Sequence, residues 1–387
     1  MTSIRRIALA CGVAAFAGGA YCQEAGQQPF ELVRSLRMLQ DMQAYGNATA
    51  HATQKAVMMQ TAERLDQFDH AVWKEPKNVR AVVEFALSGG STRTLRTILA
   101  RGITGGIDAK LVKGTLAYAD GRSTEAANML SGLDARLLDP SVAGQVALVQ
   151  AELIAKKDTG RAAALLDQAR LLSPGTLIEE AALRRLAAIY AAGRNFRKFE
   201  TTSAVYLRRY PRSIYAGGFR QQFATQVALY ETAHDPDRLA KLKEMLAALD
   251  ARDRRDLFLA MAHEAILRGR IGLSRFAARE AALLADNDTA EAARAKLYEA
   301  AATVATDQLE TGLAVLKGLK RTEFSRQDAE LLDAAISLAH QVVGSPPPAS
   351  ATTMDPPQDA NDPEPKIMEP ARQAVARVDQ LLNGVKK

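Results

Sequence analysis

Alanine- and leucine-rich runs, broken by short Gly, Asp and Asn turns, recur along most of this chain, and that recurrence restricts the fold more than any other feature. The phrase Leu116-Ala-Tyr-Ala-Asp-Gly-Arg returns as Ala188-Ile-Tyr-Ala-Ala-Gly-Arg, each with a tyrosine three residues before the turn glycine. A third copy reads Ala265-Ile-Leu-Arg-Gly-Arg. Turn centres are expected near Gly121, Gly160, Gly193, His234, Gly269 and Thr306, spaced 33 to 41 residues apart. Alanine and leucine are the best helix formers, and no run of alternating β-branched residues competes with them. Helix packed on helix is the consequence.

A two-helix unit at this period predicts an all-α fold, an irregular solenoid of tetratricopeptide-like helix pairs over residues 80–343. The Trp-Leu-Gly of a regular repeat is missing. Pro211, after a helix expected from Phe196 to Tyr210, stands where such units often carry a helix-ending proline. Each unit buries its apolar stripe against its neighbours. A groove suited to holding a segment of another protein is expected, and nothing in such an array assembles a catalytic centre.

Residues 21–79 read as an N-terminal helical segment. Phe30, Val33, Leu36 and Leu39 fall on one stripe. Gly46-Asn47 ends that helix, Thr49 or Thr53 is expected to cap a second running to about Phe68, and Trp73 is expected to pack between helices.

The two ends read differently. Arg5 and Arg6 precede an uncharged run from Ile7 to Ala20 that closes on small residues, which predicts a secretory signal peptide over residues 1–20. The run is too short to span a bilayer comfortably, and no other stretch reaches that length, so no stable membrane span is expected after signal removal. Tyr21 before Cys22 argues against a lipoprotein signal, and no cysteine follows Cys22. A periplasmic location is expected. Between Gly344 and Pro370 lie 8 of the 14 prolines, with Asp355, Asp359, Asp362, Glu364 and Glu369 against Lys366. This predicts a disordered, acidic, Pro-rich linker over 344–370. Residues 371–387 read as a short amphipathic helix with Val375, Val378 and Leu382 on one side, which either folds back on the repeats or serves as a tethered peptide.

The net charge is +6, or +4 without Arg5 and Arg6, too mild to imply nucleic acid. His263-Glu264 begins a helical zinc phrase, but Leu267 stands where the second histidine belongs. Gly105-Gly106 and Lys113-Gly114-Thr115 hold pieces of a phosphate loop in the wrong order, and no Gly-x-Ser-x-Gly occurs. The Glu-Ser dipeptide of periplasmic lytic transglycosylases is also absent. No enzyme, cofactor or metal is expected.

Arg184 to Arg220 is the unusual region. It holds nine basic residues and one acid, Glu200, among seven aromatics. It reads either as a binding face, since Arg and Tyr are favoured interface anchors, or as aromatics filling a core beneath solvated arginines. The binding-face reading nominates Arg197, Tyr206, Arg208 and Arg209 as contact residues.

Pro29-Phe-Glu-Leu-Val-Arg-Ser-Leu-Arg-Met-Leu-Gln-Asp, Gly46-Asn-Ala-Thr-Ala-His-Ala-Thr-Gln-Lys, Val72-Trp-Lys-Glu-Pro-Lys-Asn-Val-Arg-Ala and Leu87-Ser-Gly-Gly resemble the opening of MotC proteins of rhizobial-type bacteria. The specific phrases cover roughly residues 29–90, and beyond them the likeness is one of layout. The resemblance implies a periplasmic motility protein that contacts the periplasmic part of the stator protein MotB and is needed for flagellar rotation. It carries over no catalytic residue. The alternative is a helical-repeat adaptor for another cell-envelope assembly.

Overall fold

A computed structural model of the chain describes residues 27–344, apart from 104, 231–235 and 287–288. The expected signal peptide, Cys22, the linker beyond Gly344 and the terminal helix lie outside the described residues. The chain divides into two compact units, Met1–Ala335 and Ile336–Lys387.

Among the described residues there are seventeen α-helices and no strand. The first helices are α1 (Pro29–Ala44), α2 (Ala48–Asp66), α3 (Pro76–Leu87), α4 (Arg93–Ala100), α5 (Ala109–Ala119) and α6 (Ser123–Leu130). Then come α7 (Pro140–Ile154), α8 (Thr159–Leu172), α9 (Leu177–Ala192), α10 (Phe196–Arg209), α11 (Ala216–Leu229) and α12 (Pro236–Leu246). The last are α13 (Ala251–Leu267), α14 (Ile271–Ala282), α15 (Ala290–Val304), α16 (Leu309–Lys317) and α17 (Arg326–Gly344). Through most of the series each helix packs on the next in sequence: α5 on α6, α7 to α10 in succession, and α13 to α16 likewise. Around the position of α12 the series shifts, with α11 packing on α13 and α12 lying against α10. The fold is all-helical, as the periodicity predicts.

Local chemistry sets the helix ends. Asp139, Asp158, Thr176, Asn195 and Asp250 each accept a backbone N–H of the first turn that follows, which satisfies an otherwise unpaired donor. Asn47, rather than Thr49 or Thr53, caps α2 by accepting from the Ala50 N–H. Gly160 is not a turn centre. It lies in the first turn of α8, whose start Asp158 defines. Gly121 and Gly269 take the left-handed conformation at the repeated turns, but in the middle copy the left-handed residue is Arg194 (φ 52°) and not Gly193. The α9–α10 turn comes one residue later, at a strain of about 1 kcal/mol for a residue with a Cβ.

Small residues permit close helix contact. A Cβ on Gly312 of α16 would come within 2.9 Å of the Ala300 carbonyl oxygen on α15, so only glycine fits that crossing. One cluster of buried residues is dominated by alanine: Ala147 and Ala151 of α7, Ala163 and Ala169 of α8, and Ala182 of α9. A second, with larger side chains, joins Leu32, Val33 and Leu36 of α1, Val79, Val82 and Phe85 of α3, and Val142, Val146 and Val149 of α7. Each such leucine contributes about 2 kcal/mol by leaving water. Trp73 is buried and meets the Phe68 ring edge-on, with centroids 6.1 Å apart.

The N-terminal helices share this core, and position 80 falls inside α3 rather than at a break between elements. Helix α1 also reaches α9. The Leu177 N–H donates to Asp41 at 2.9 Å, the Tyr45 hydroxyl to the Gly175 carbonyl at 2.9 Å, and the Ile214 N–H to the Gln43 carbonyl at 3.2 Å. This departs from the nearest-neighbour packing of a simple repeat array.

Where α1, α3 and α7 meet, Glu84 is 6% exposed and accepts from Arg37 at 3.3 Å. Burial pushes its carboxyl up, Arg37 offsets part of that, and the charges of Asp41 and Asp139 add to it, so the group titrates at about 7 instead of 4.5. Between those two values the folded protein holds a proton that the unfolded chain has released. Stability therefore falls as pH rises through this window, by about 3 kcal/mol in all. Glu84→Gln is expected to flatten the fall and to raise the urea midpoint above wild type at pH 8. Equal midpoints at pH 8 would rule Glu84 out as the source.

Candidate protein-binding face

Phe199, Tyr206 and Phe219 of the Arg184–Arg220 region form a core between α10 and α11, whereas Tyr215 is exposed. Phe199 stacks on Phe223 with centroids 5.5 Å apart, and Tyr206 on Phe219 at 3.8 Å. Phe196 meets Tyr230 at 4.4 Å. Tyr206 and Tyr210 are buried. Tyr206 is therefore not a contact residue on a surface, which corrects the expectation from sequence. It sits on the inward side of α10, in line with Phe199 and Ser203.

The two tyrosines complete a buried network that the sequence does not reveal. Glu179 and Glu180, in the first turn of α9, are 3% and 0% exposed. The Tyr210 hydroxyl donates to Glu179 Oε2 and the Tyr206 hydroxyl to Glu180 Oε1, each at 2.7 Å. The Gly175 N–H adds a bond to Glu179 at 2.6 Å, and Ser213 one to Glu180 at 3.3 Å. Burial pushes both phenols well above their usual range, and the adjacent carboxylates push them further. Both stay protonated as donors. The positive end of the α9 dipole favours the two acids at this position.

The arginines divide into two groups. Arg209 lies 2.9 Å from Glu179, Arg184 3.4 Å from Glu180, Arg185 2.9 Å from Glu152 and Arg220 3.3 Å from Asp253. Arg209, nominated as a contact, thus serves the buried network, though its side chain stays 43% exposed. Arg194, Arg197, Arg208 and Arg212 are exposed and enter no ion pair among the described residues. Lys198 lies over the Tyr190 ring, 5.3 Å from its centroid. Of the four nominated residues, Arg197 and Arg208 are the two that present free cations to solvent. Hydrophobic periodicity carried that signal. With Phe199, Ser203 and Tyr206 inward, a turn of 100° per residue leaves Arg197 and Arg208 outward.

A cavity of about 280 Å³ beside α6, α7 and α8 is lined by Asp134, Gln150, Arg161 and Gln168 among apolar residues. Hydrogen bonds from Arg136 hold Asp134 down to about 2, which leaves it an ionised, paired group poorly suited to proton transfer near neutral pH. His263 packs beside Tyr298, ring centroids 5.6 Å apart. Among the described residues no group of three or more His, Cys, Asp or Glu is placed to hold a metal, and no helix is long and apolar enough to cross a membrane.

The whole chain, residues 1–387, matches the family described as Chemotaxis protein MotC. The chain belongs to the MotC family. The Chemotaxis protein MotC of Rhizobium meliloti (strain 1021) is 29% identical to it over 320 residues, covering 82% of this chain and 73% of that protein. No solved structure matches the chain. The likeness read from residues 29–90 therefore extends over residues 1–387 of this chain, repeats and basic region included. The family's description places the chain among chemotaxis proteins.

Proposed function

We propose that this chain is an exported, non-enzymatic motility protein that works in the periplasm and is needed for flagellar rotation. It acts by binding the periplasmic part of the MotB-type stator protein. The match to the MotC family along the full chain carries this reading. The basic start and short apolar run at Arg5 to Ala20 support export. A series of helical hairpins with free cations on an outward helix suits the binding of another protein.

The test is a pull-down of the purified chain against the periplasmic fragment of its host's MotB-type protein, together with a deletion strain. Saturable binding at micromolar affinity or better is expected, and cells that build flagella but do not swim. A deletion strain that swims normally and leaks periplasmic contents would replace this reading with an adaptor of another envelope assembly.

A further inference from the structure

On α10, Arg197, Thr201 and Arg208 lie within about 40° of one another around the helix axis, on its solvent side. The row is about 16 Å long at 1.5 Å per residue. Arg194 and Lys198 flank its start, and Arg212 follows its end. The chain has 44 acidic residues, and it supplies buried or half-buried carboxylates to Arg184, Arg209 and Arg220 nearby. Among the described residues it supplies none to Arg197 or Arg208. The one acid of α10, Glu200, sits toward α12, where Arg238 and Lys241 act on it. That side is therefore basic as well, with the Arg238 guanidinium over the Phe196 ring at 4.0 Å.

We propose that the outward row Arg197–Thr201–Arg208 of α10 is a docking strip for an acidic segment of a partner protein. This rests on the reading of the chain as a protein-binding motor component, and it names the chemistry of what binds. A row of 16 Å matches about five residues of extended chain or eleven of helix. Carboxylates at those spacings would meet both guanidiniums, each able to hold a carboxylate by two parallel hydrogen bonds. The aromatic stack behind α10 holds the helix in place, which lowers the ordering cost of binding. A lipid surface fits less well. Membrane-lying helices set large apolar side chains beside their cations, whereas Thr201, Ala204 and Val205 lie between these two.

The experiment compares the full chain with Arg197→Glu/Arg208→Glu, Arg197→Gln/Arg208→Gln and Thr201→Glu. Lys156→Glu/Lys157→Glu, on exposed residues of the α7–α8 turn, is the control. Circular dichroism and urea midpoints confirm that each folds. Binding is measured at two salt concentrations to the stator fragment and to a fluorescent deca-glutamate peptide. The double charge reversal is expected to weaken both by at least tenfold, and Thr201→Glu and the double glutamine variant by several-fold. The lysine control should stay within twofold, and high salt should shrink the differences.

If the stator fragment binds every variant alike, the strip is overturned and the motor reading stands. If the fragment binds nothing while the peptide still discriminates, the motor reading fails and the strip stands. If neither probe discriminates, the strip is overturned. Sedimentation with phosphatidylglycerol vesicles that depends on Arg197 and Arg208, without peptide discrimination, would replace the protein partner by an anionic membrane.

Discussion

Tyr206→Phe is expected to lower the stability of the protein by about 3 kcal/mol while leaving partner binding intact. The phenol donates at 2.7 Å to Glu180, a carboxylate with no exposed surface. Without it, Glu180 keeps only the longer contacts from Ser213 at 3.3 Å and Arg184 at 3.4 Å. A buried acceptor left under-paired in the interior bears most of its desolvation cost, so deleting one oxygen outweighs the near-perfect shape match of phenylalanine. Urea unfolding gives the measurement, and a double-mutant cycle with Glu180→Gln isolates the pair, with a coupling of about 1–3 kcal/mol expected. A loss under 1 kcal/mol would mean that the network holds Glu180 without the tyrosine. A loss of binding at unchanged stability would restore Tyr206 as a contact residue.

Gly46→Ala is expected to be at least as damaging, at about 3–5 kcal/mol. Gly46 has a φ of +84°, and a Cβ there would lie 2.2 Å from the Arg212 carbonyl oxygen. That oxygen belongs to backbone held beside α1 by the Ile214–Gln43 hydrogen bond, so it has no rotamer by which to yield. Relief requires the α1–α2 turn to lift away, with loss of the Tyr45–Gly175 and Asp41–Leu177 bonds. Gly89→Ala is the internal control. Its φ is +86° and nothing lies within 4 Å of a Cβ there, so only the left-handed penalty of about 1 kcal/mol applies. Equal destabilisation of the two variants, read from urea midpoints, would show that contact with Arg212 does not matter.

The helices were legible because they arise locally. The Ala/Leu spacing, the Asp and Asn caps and the turn glycines act within a few residues, and the repeated turns at Gly121 and Gly269 are where the phrases place them, while the middle one falls one residue on, at Arg194. Pro211 does follow the end of α10. The turn at Gly160 was misplaced because a glycine also fits the first turn of a helix, and Asp158 decided the boundary.

Sequence alone determined the all-helical architecture, its hairpin rhythm and the family, because helix propensity, capping and motif identity are written in short stretches of chain. It also showed that the region from Arg184 to Arg220 is basic and aromatic. Only the tertiary structure decided which of those residues do what. Tyr206 meets Glu180 across 26 residues, and Leu177 meets Asp41 across 136. Whether an arginine neutralises a buried acid or faces water depends on which distant side chains the packing brings beside it. Burial makes such pairings strong, because water no longer competes for the same donors and acceptors.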